Sequence, residues 1–62
     1  MGRDYVIKIY LLPDKSDYPD TPYCWCLLVL YDDWCTEGTG WAKSPEKAFA
    51  EGYEYYREMY KN

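Results

Sequence analysis

Histidine is absent from this 62-residue sequence, and that gap closes off several chemistries. No Ser-His or Cys-His dyad can form, so the usual routes to an activated nucleophile are missing. Ser44 is explained as a helix cap, and the adjacent carboxylates Asp32 and Asp33 as turn residues. A zinc site needs four ligands, and beside the three cysteines at positions 24, 26 and 35 no His is available as a fourth. Cys24-Trp25-Cys26 falls inside a strand pattern rather than on a zinc knuckle, which suits core thiols better than ligands. A bridge between Cys24 and Cys26 would strain the strand, because the two side chains leave it side by side. The run from Gly38 to Ser44 opens a helix but lacks the Gly before Lys-Ser that a phosphate loop requires. The expectation is a protein that is not an enzyme and holds no cofactor or metal.

Other shortages narrow the class further. Seven basic residues are scattered along the chain against eleven acidic ones, for a net charge of −4. A nucleic-acid binder needs its cations clustered on one face, so no direct nucleic-acid contact is expected. The longest apolar run, residues 24–31, is too short to span a bilayer. No apolar signal core follows the N-terminus, and an odd cysteine count without one fits a reducing compartment. Those features predict a soluble, cytoplasmic protein with no membrane partner. Internal repeats and low-complexity segments are also missing.

Aromatic residues are present in excess: nine Tyr, three Trp and one Phe. Such hydrophobicity excludes a disordered chain. A chain of this length buries only about 60% of its unfolded surface, so its core is marginal unless something reinforces it. Tyr and Trp are also enriched at interfaces, which points to more apolar surface than one small core can hide.

Four elements can be read along the chain. Residues 5–12 form a strand pattern that Pro13 stops. Residues 14–22 make a polar, proline-containing loop, longer than most hairpin connections and a candidate contact element. Residues 23–31 are apolar on both alternating faces, as in a central strand covered on both sides. A two-residue turn at Asp32-Asp33 would pair Tyr31 with Trp34 and Leu30 with Cys35. Gly38 and Gly40 suggest a bulge or twist late in the third strand. Ser44, Pro45 and Glu46 carry three helix-start signals in a row. Ala48, Phe49, Gly52, Tyr53, Tyr56, Met59 and Tyr60 then recur at helical spacing, and Lys47 and Glu51 are placed for a weak ion pair.

Assembled, these give an α+β fold: a three-stranded antiparallel sheet with one C-terminal helix on one face (β-β-β-α). The face with Ile7, Ile9, Cys26, Leu28, Leu30 and Cys35 is expected to receive the helix, because its small and aliphatic side chains suit Phe49, Tyr53 and Tyr56. The other face would carry Lys8, Thr36 and the glycines alongside Tyr10, Trp25, Leu27, Val29 and Trp34, and would be solvent-exposed, self-paired or partner-bound. The last five are the expected protein-binding residues, since large aromatic anchors tend to dominate interface energy. A secondary acidic surface, Asp14, Asp17 and Asp20 in the loop with Glu51, Glu54 and Glu58 on the helix, would suit a basic groove.

The strand order, the Asp32-Asp33-Trp34 turn and the helix start Ser44-Pro45-Glu46-Lys47-Ala48 resemble the N-terminal part of HicB-type antitoxins. There a Thr/Ser-Pro-Glu-x-Ala helix start follows a similar sheet. The resemblance covers roughly half the chain. The family's Pro-rich segment after the third strand is missing, and no DNA-binding module is expected after the helix. What the resemblance implies is a protein-binding, often self-associating half-domain. In size, acidity and lack of catalytic groups the chain also resembles small phage-encoded anti-defence (anti-CRISPR-like) inhibitors. The leading expectation is a protein-binding inhibitor or modulator of a larger complex, acting on a protein partner and forming a homodimer. The alternatives are a HicB-like antitoxin fragment that neutralises a toxin, and a structural homo-oligomer.

Overall fold

The computed structural model describes residues 3–14 and 20–61. Its elements run β1 (Tyr5–Leu11), β2 (Tyr23–Leu30), β3 (Trp34–Ala42) and α1 (Pro45–Met59). The three strands form one antiparallel sheet in the order β1-β2-β3, and α1 packs on one side of it. This is the expected α+β arrangement of three strands followed by a helix. The ladder between β1 and β2 extends one step past the strands, where Leu12 N–H donates to the Pro22 carbonyl at 2.9 Å.

The helix begins where its chemistry dictates. Ser44 is extended and its Oγ accepts from Lys47 N–H at 3.1 Å, satisfying a donor that has no intrahelical partner. Pro45 occupies the first turn, where its missing N–H costs nothing, and Glu46 meets the positive end of the helix dipole.

The helix covers the expected side of β1, with Ile7 and Ile9, and the side of β3 that carries Cys35, but the opposite side of β2 from the one expected. The buried core is Trp25, Leu27, Val29, Ala42 and Ala48, with Leu27 and Val29 wholly shielded from solvent. Tyr5, Ile7 and Ile9 lie opposite Val29, Leu27 and Trp25, so they share the helix-covered face. Cys26, Leu28 and Leu30 point to the other side. The expected grouping of Ile7 and Ile9 with Leu28 and Leu30 is therefore corrected.

Two details of β3 decide its faces. The connection after β2 has three residues, 31–33, so Leu30 pairs with Trp34 and Val29 with Cys35, one step from the two-residue-turn expectation. Downstream, Leu28 pairs with Thr36 but Leu27 pairs with Gly38, leaving Glu37 as the extra residue of a bulge. That extra residue changes the phase of the strand and delivers Gly38, Gly40 and Ala42 to the helix side.

The glycines explain why the helix sits there. A Cβ on Gly40 would lie 2.6 Å from Trp25 Nε1, and one on Gly38 would lie 2.9 Å from the Tyr55 ring. On the helix, a Cβ at Gly52 would lie 3.1 Å from Ile7 and 3.3 Å from Trp25. The Trp25 indole thus occupies a slot floored by Gly40 and roofed by Gly52. Small residues, Ala48 and Gly52, face the sheet in place of the expected Phe49 and Tyr53, which are exposed. Tyr56 does pack on the core, as do Met59 and Tyr60. Phe49 and Tyr53 instead stack on each other along the helix flank (6.2 Å, 9°), and Tyr53 reaches the Tyr5 ring at 6.3 Å.

Candidate protein-binding surface

Alternation along the paired strands assigns the uncovered side of the sheet. At the loop end lies a row of Tyr10, Cys24 and Trp41, followed by Lys8, Cys26 and Thr39. Val6, Leu28 and Thr36 come next, and Leu30 with Trp34 closes the face at the turn end. Tyr10 and Trp34 remain more than two-fifths exposed, and Val6 is also exposed. A shallow hollow lined by Val6, Lys8, Leu28 and Trp34 lies within this face. Lys8 is its single charged side chain, and it stands on an edge strand from which the ammonium reaches water.

The five expected protein-binding residues are therefore split. Tyr10 and Trp34 lie on the open face at diagonally opposite corners. Trp25, Leu27 and Val29 lie beneath the helix, and their placement on an open surface is corrected: at 5%, 0% and 0% exposure they are core. Leu28, Leu30, Cys24, Cys26 and Trp41 take their place on the uncovered side. The alternation within β2 already groups four of these together; what it does not reveal is which group the helix selects.

The helix carries the acidic surface. Glu51, Glu54 and Glu58 are exposed and, with Tyr55, line a shallow groove. Their charges are partly engaged. Glu51 Oε1 accepts from Trp25 Nε1 at 3.2 Å, a bond from core to surface that replaces the expected Lys47 partner. Glu54 meets Arg57 at 3.4 Å, and Glu58 meets Lys61 at 3.9 Å. Exposed pairs of this kind contribute at most about 1 kcal/mol. Asp14 and Asp20 are exposed at the two described ends of the loop, and Asp17 lies outside the described residues.

The far end of the molecule is tied together by aromatics. Tyr56 Oη donates to the Arg3 carbonyl at 2.7 Å and its ring stacks on Tyr5 at 4.1 Å, while the Arg3 guanidinium sits 4.7 Å from the Tyr31 ring centroid. The Glu37 carboxylate and then the Tyr60 hydroxyl hold the Tyr31 phenol well above the usual tyrosine range. The Tyr60 hydroxyl itself is buried without a well-formed hydrogen bond.

Burial, and then the neighbouring Cys26 thiol, push the Cys24 thiol up, away from a reactive thiolate. Among the described residues no cluster of three or more metal-ligating side chains occurs, and no helix is long and apolar enough to cross a membrane.

What fold and surface define is a one-layer sheet with a single helix on one side and an apolar face on the other. Comparison with protein-family profiles, curated proteins and solved structures finds no match for this chain.

Proposed function

We propose that this chain is a non-enzymatic protein-binding module that inhibits or modulates a larger complex, and that it associates through the open face of its sheet. The observation that carries this reading is the uncovered side of β2, where Cys24, Cys26, Leu28 and Leu30 follow one another without a polar residue between them on that face. In an antiparallel sheet with one solvated side, that side normally alternates toward polar residues. Here the flanking strands add Val6, Tyr10, Trp34 and Trp41 alongside Lys8, Thr36 and Thr39, so most of the face is apolar. The acidic helix on the opposite side offers a second surface, suited to a basic target. Small acidic chains used by phages and mobile elements against host defence complexes share this character, by analogy of composition.

The test compares the wild type with a Tyr10→Lys, Trp34→Lys double variant, both immobilised and exposed to a lysate of the source organism. The reading requires a protein retained by the wild type and lost from the variant, with circular dichroism unchanged. Equal retention by both, or retention of nothing, overturns it.

A further inference from the structure

We infer that the open sheet face is covered by a second copy of this chain, giving a homodimer with its two helices on the outside. This rests on the reading that the open face is an association surface, and it names the occupant of that surface.

Area makes the first argument. Strands of seven, eight and nine residues, at about 3.3 Å per residue and about 4.8 Å between strands, lay out roughly 14 × 26 Å of sheet. Two copies meeting there cover about 730 Å² of plane, which side-chain relief has to raise by roughly two-thirds to reach the lower end of the roughly 1,200–2,000 Å² typical of stable interfaces. The need is equally specific. Among the described residues five hydrophobic side chains make up the buried core, the cysteines are free, and no metal-ligating cluster occurs. Of the usual reinforcements for so small a domain, self-association is the one the structure has a surface for.

Charge selects the geometry. Each copy carries a net charge of −4, yet none of the strand residues paired on the open face is acidic, and Asp4, opposite Leu30 just before β1, stands only at its turn-end corner. Glu46, Glu51, Glu54 and Glu58 all project from the helix on the far side. Packing face to face therefore puts the acidic surfaces as far apart as the molecule allows, whereas any helix-to-helix contact would bring them together. An isologous arrangement with the strands of the two copies antiparallel also reverses the order of the rows. Lys8 then lies over Val6 rather than over another Lys8, and Trp41 over Trp34. The acidic helices become a matched pair of outward surfaces.

The three cysteines supply a readout built into the sequence. Cys24 and Cys26 lie on the open face, while Cys35 lies exposed on the helix side of β3. Rates of thiol alkylation, resolved by peptide mass spectrometry, are compared between dilute and concentrated protein alongside light-scattering mass. The expected result is a mass of twice 7.5 kDa at high concentration, with Cys24 and Cys26 protected and Cys35 unchanged. Trp34→Lys should weaken the dimer about 30-fold or more. Phe49→Lys, at a similarly exposed aromatic on the helix flank, should leave it intact.

A wild type that stays monomeric at millimolar concentration overturns the inference while leaving the face free for a different protein. A dimer whose Cys24 and Cys26 stay reactive, or which survives Trp34→Lys, also overturns it, by placing the contact elsewhere. The functional reading fails separately, if the double variant of the retention experiment binds as the wild type does.

Discussion

The two sides of this sheet are built from similar material, and only one of them holds the helix. On the covered side Trp25, Leu27 and Val29 alternate along β2; on the open side Cys24, Cys26, Leu28 and Leu30 do the same. Apolar content does not distinguish them. Relief does: the covered side has Gly38, Gly40 and Ala42 on β3, and the helix meets it with Ala48 and Gly52. Those small residues let a helix approach closely enough to close over an indole. The open side of β3 carries Trp34 and Trp41 with Thr36 and Thr39 between them, and the two indoles would hold a helix away. Packing density sets the outcome, because dispersion contacts are lost over gaps of less than an ångström.

The comparison is sharpened most by truncating neighbours on β2. Leu27→Ala should cost about 3 kcal/mol in urea denaturation, much of the stability such a small domain has. Leu28→Ala, one residue along, should cost less than about 1 kcal/mol in the isolated chain. Equal costs would mean that the open face is covered from within the molecule. Next comes overpacking. Gly40→Ala should cost about 2 kcal/mol, because the Trp25 indole it meets is enclosed and cannot swing aside. Gly38→Ala meets the rim of the Tyr55 ring, which is 44% exposed and free to move, so its cost should be clearly smaller. A smaller effect is expected at the link between core and surface. Glu51→Ala removes the acceptor of Trp25 Nε1 and should cost about 1 kcal/mol, with a shift in tryptophan emission.

The smallest effect is a pH dependence. With its folded pKa raised above the ordinary value of 10.0, the Tyr31 phenol contributes stability that is fully present below about pH 10. That contribution is lost as pH rises from there through the folded value. Denaturation midpoints of the wild type should therefore fall more steeply above pH 10 than those of Tyr31→Phe, and parallel curves would contradict the contact with Glu37.

The elements themselves were legible because each is announced locally. Ser44-Pro45-Glu46 specifies a helix start from adjacent residues, and the apolar run ending at Leu30 needs no distant partner to read as a strand. The faces were not legible, for three separable reasons. A turn of three residues rather than two moves every pairing near it by one step. The bulge at Glu37 then changes the phase of β3, and strict alternation cannot be carried across it. Finally, glycines read from sequence suggest a bare, solvated surface, whereas here they are the floor on which Trp25 lies. Of the expected binding residues, Tyr10 and Trp34 were placed on the open face by alternation. Trp25, Leu27 and Val29 were misplaced with them, because the assembly of the sheet depends on contacts between residues far apart in the chain. The Trp25–Glu51 bond, spanning 26 residues, gives no local signal.

The slot around Trp25 also has a consequence for descent. Residues 25, 40 and 52 share one small volume, so none of them is free to drift alone. A lineage that acquires a side chain at position 40 must reduce the ring at 25, in the same step or beforehand, to keep the helix docked, whereas one at position 52 needs only a small shift of Ile7 and Trp25. Among homologues of this chain, a large residue at 40 should accompany a small one at 25, and the covariance of those positions should survive after most of the exposed surface has diverged.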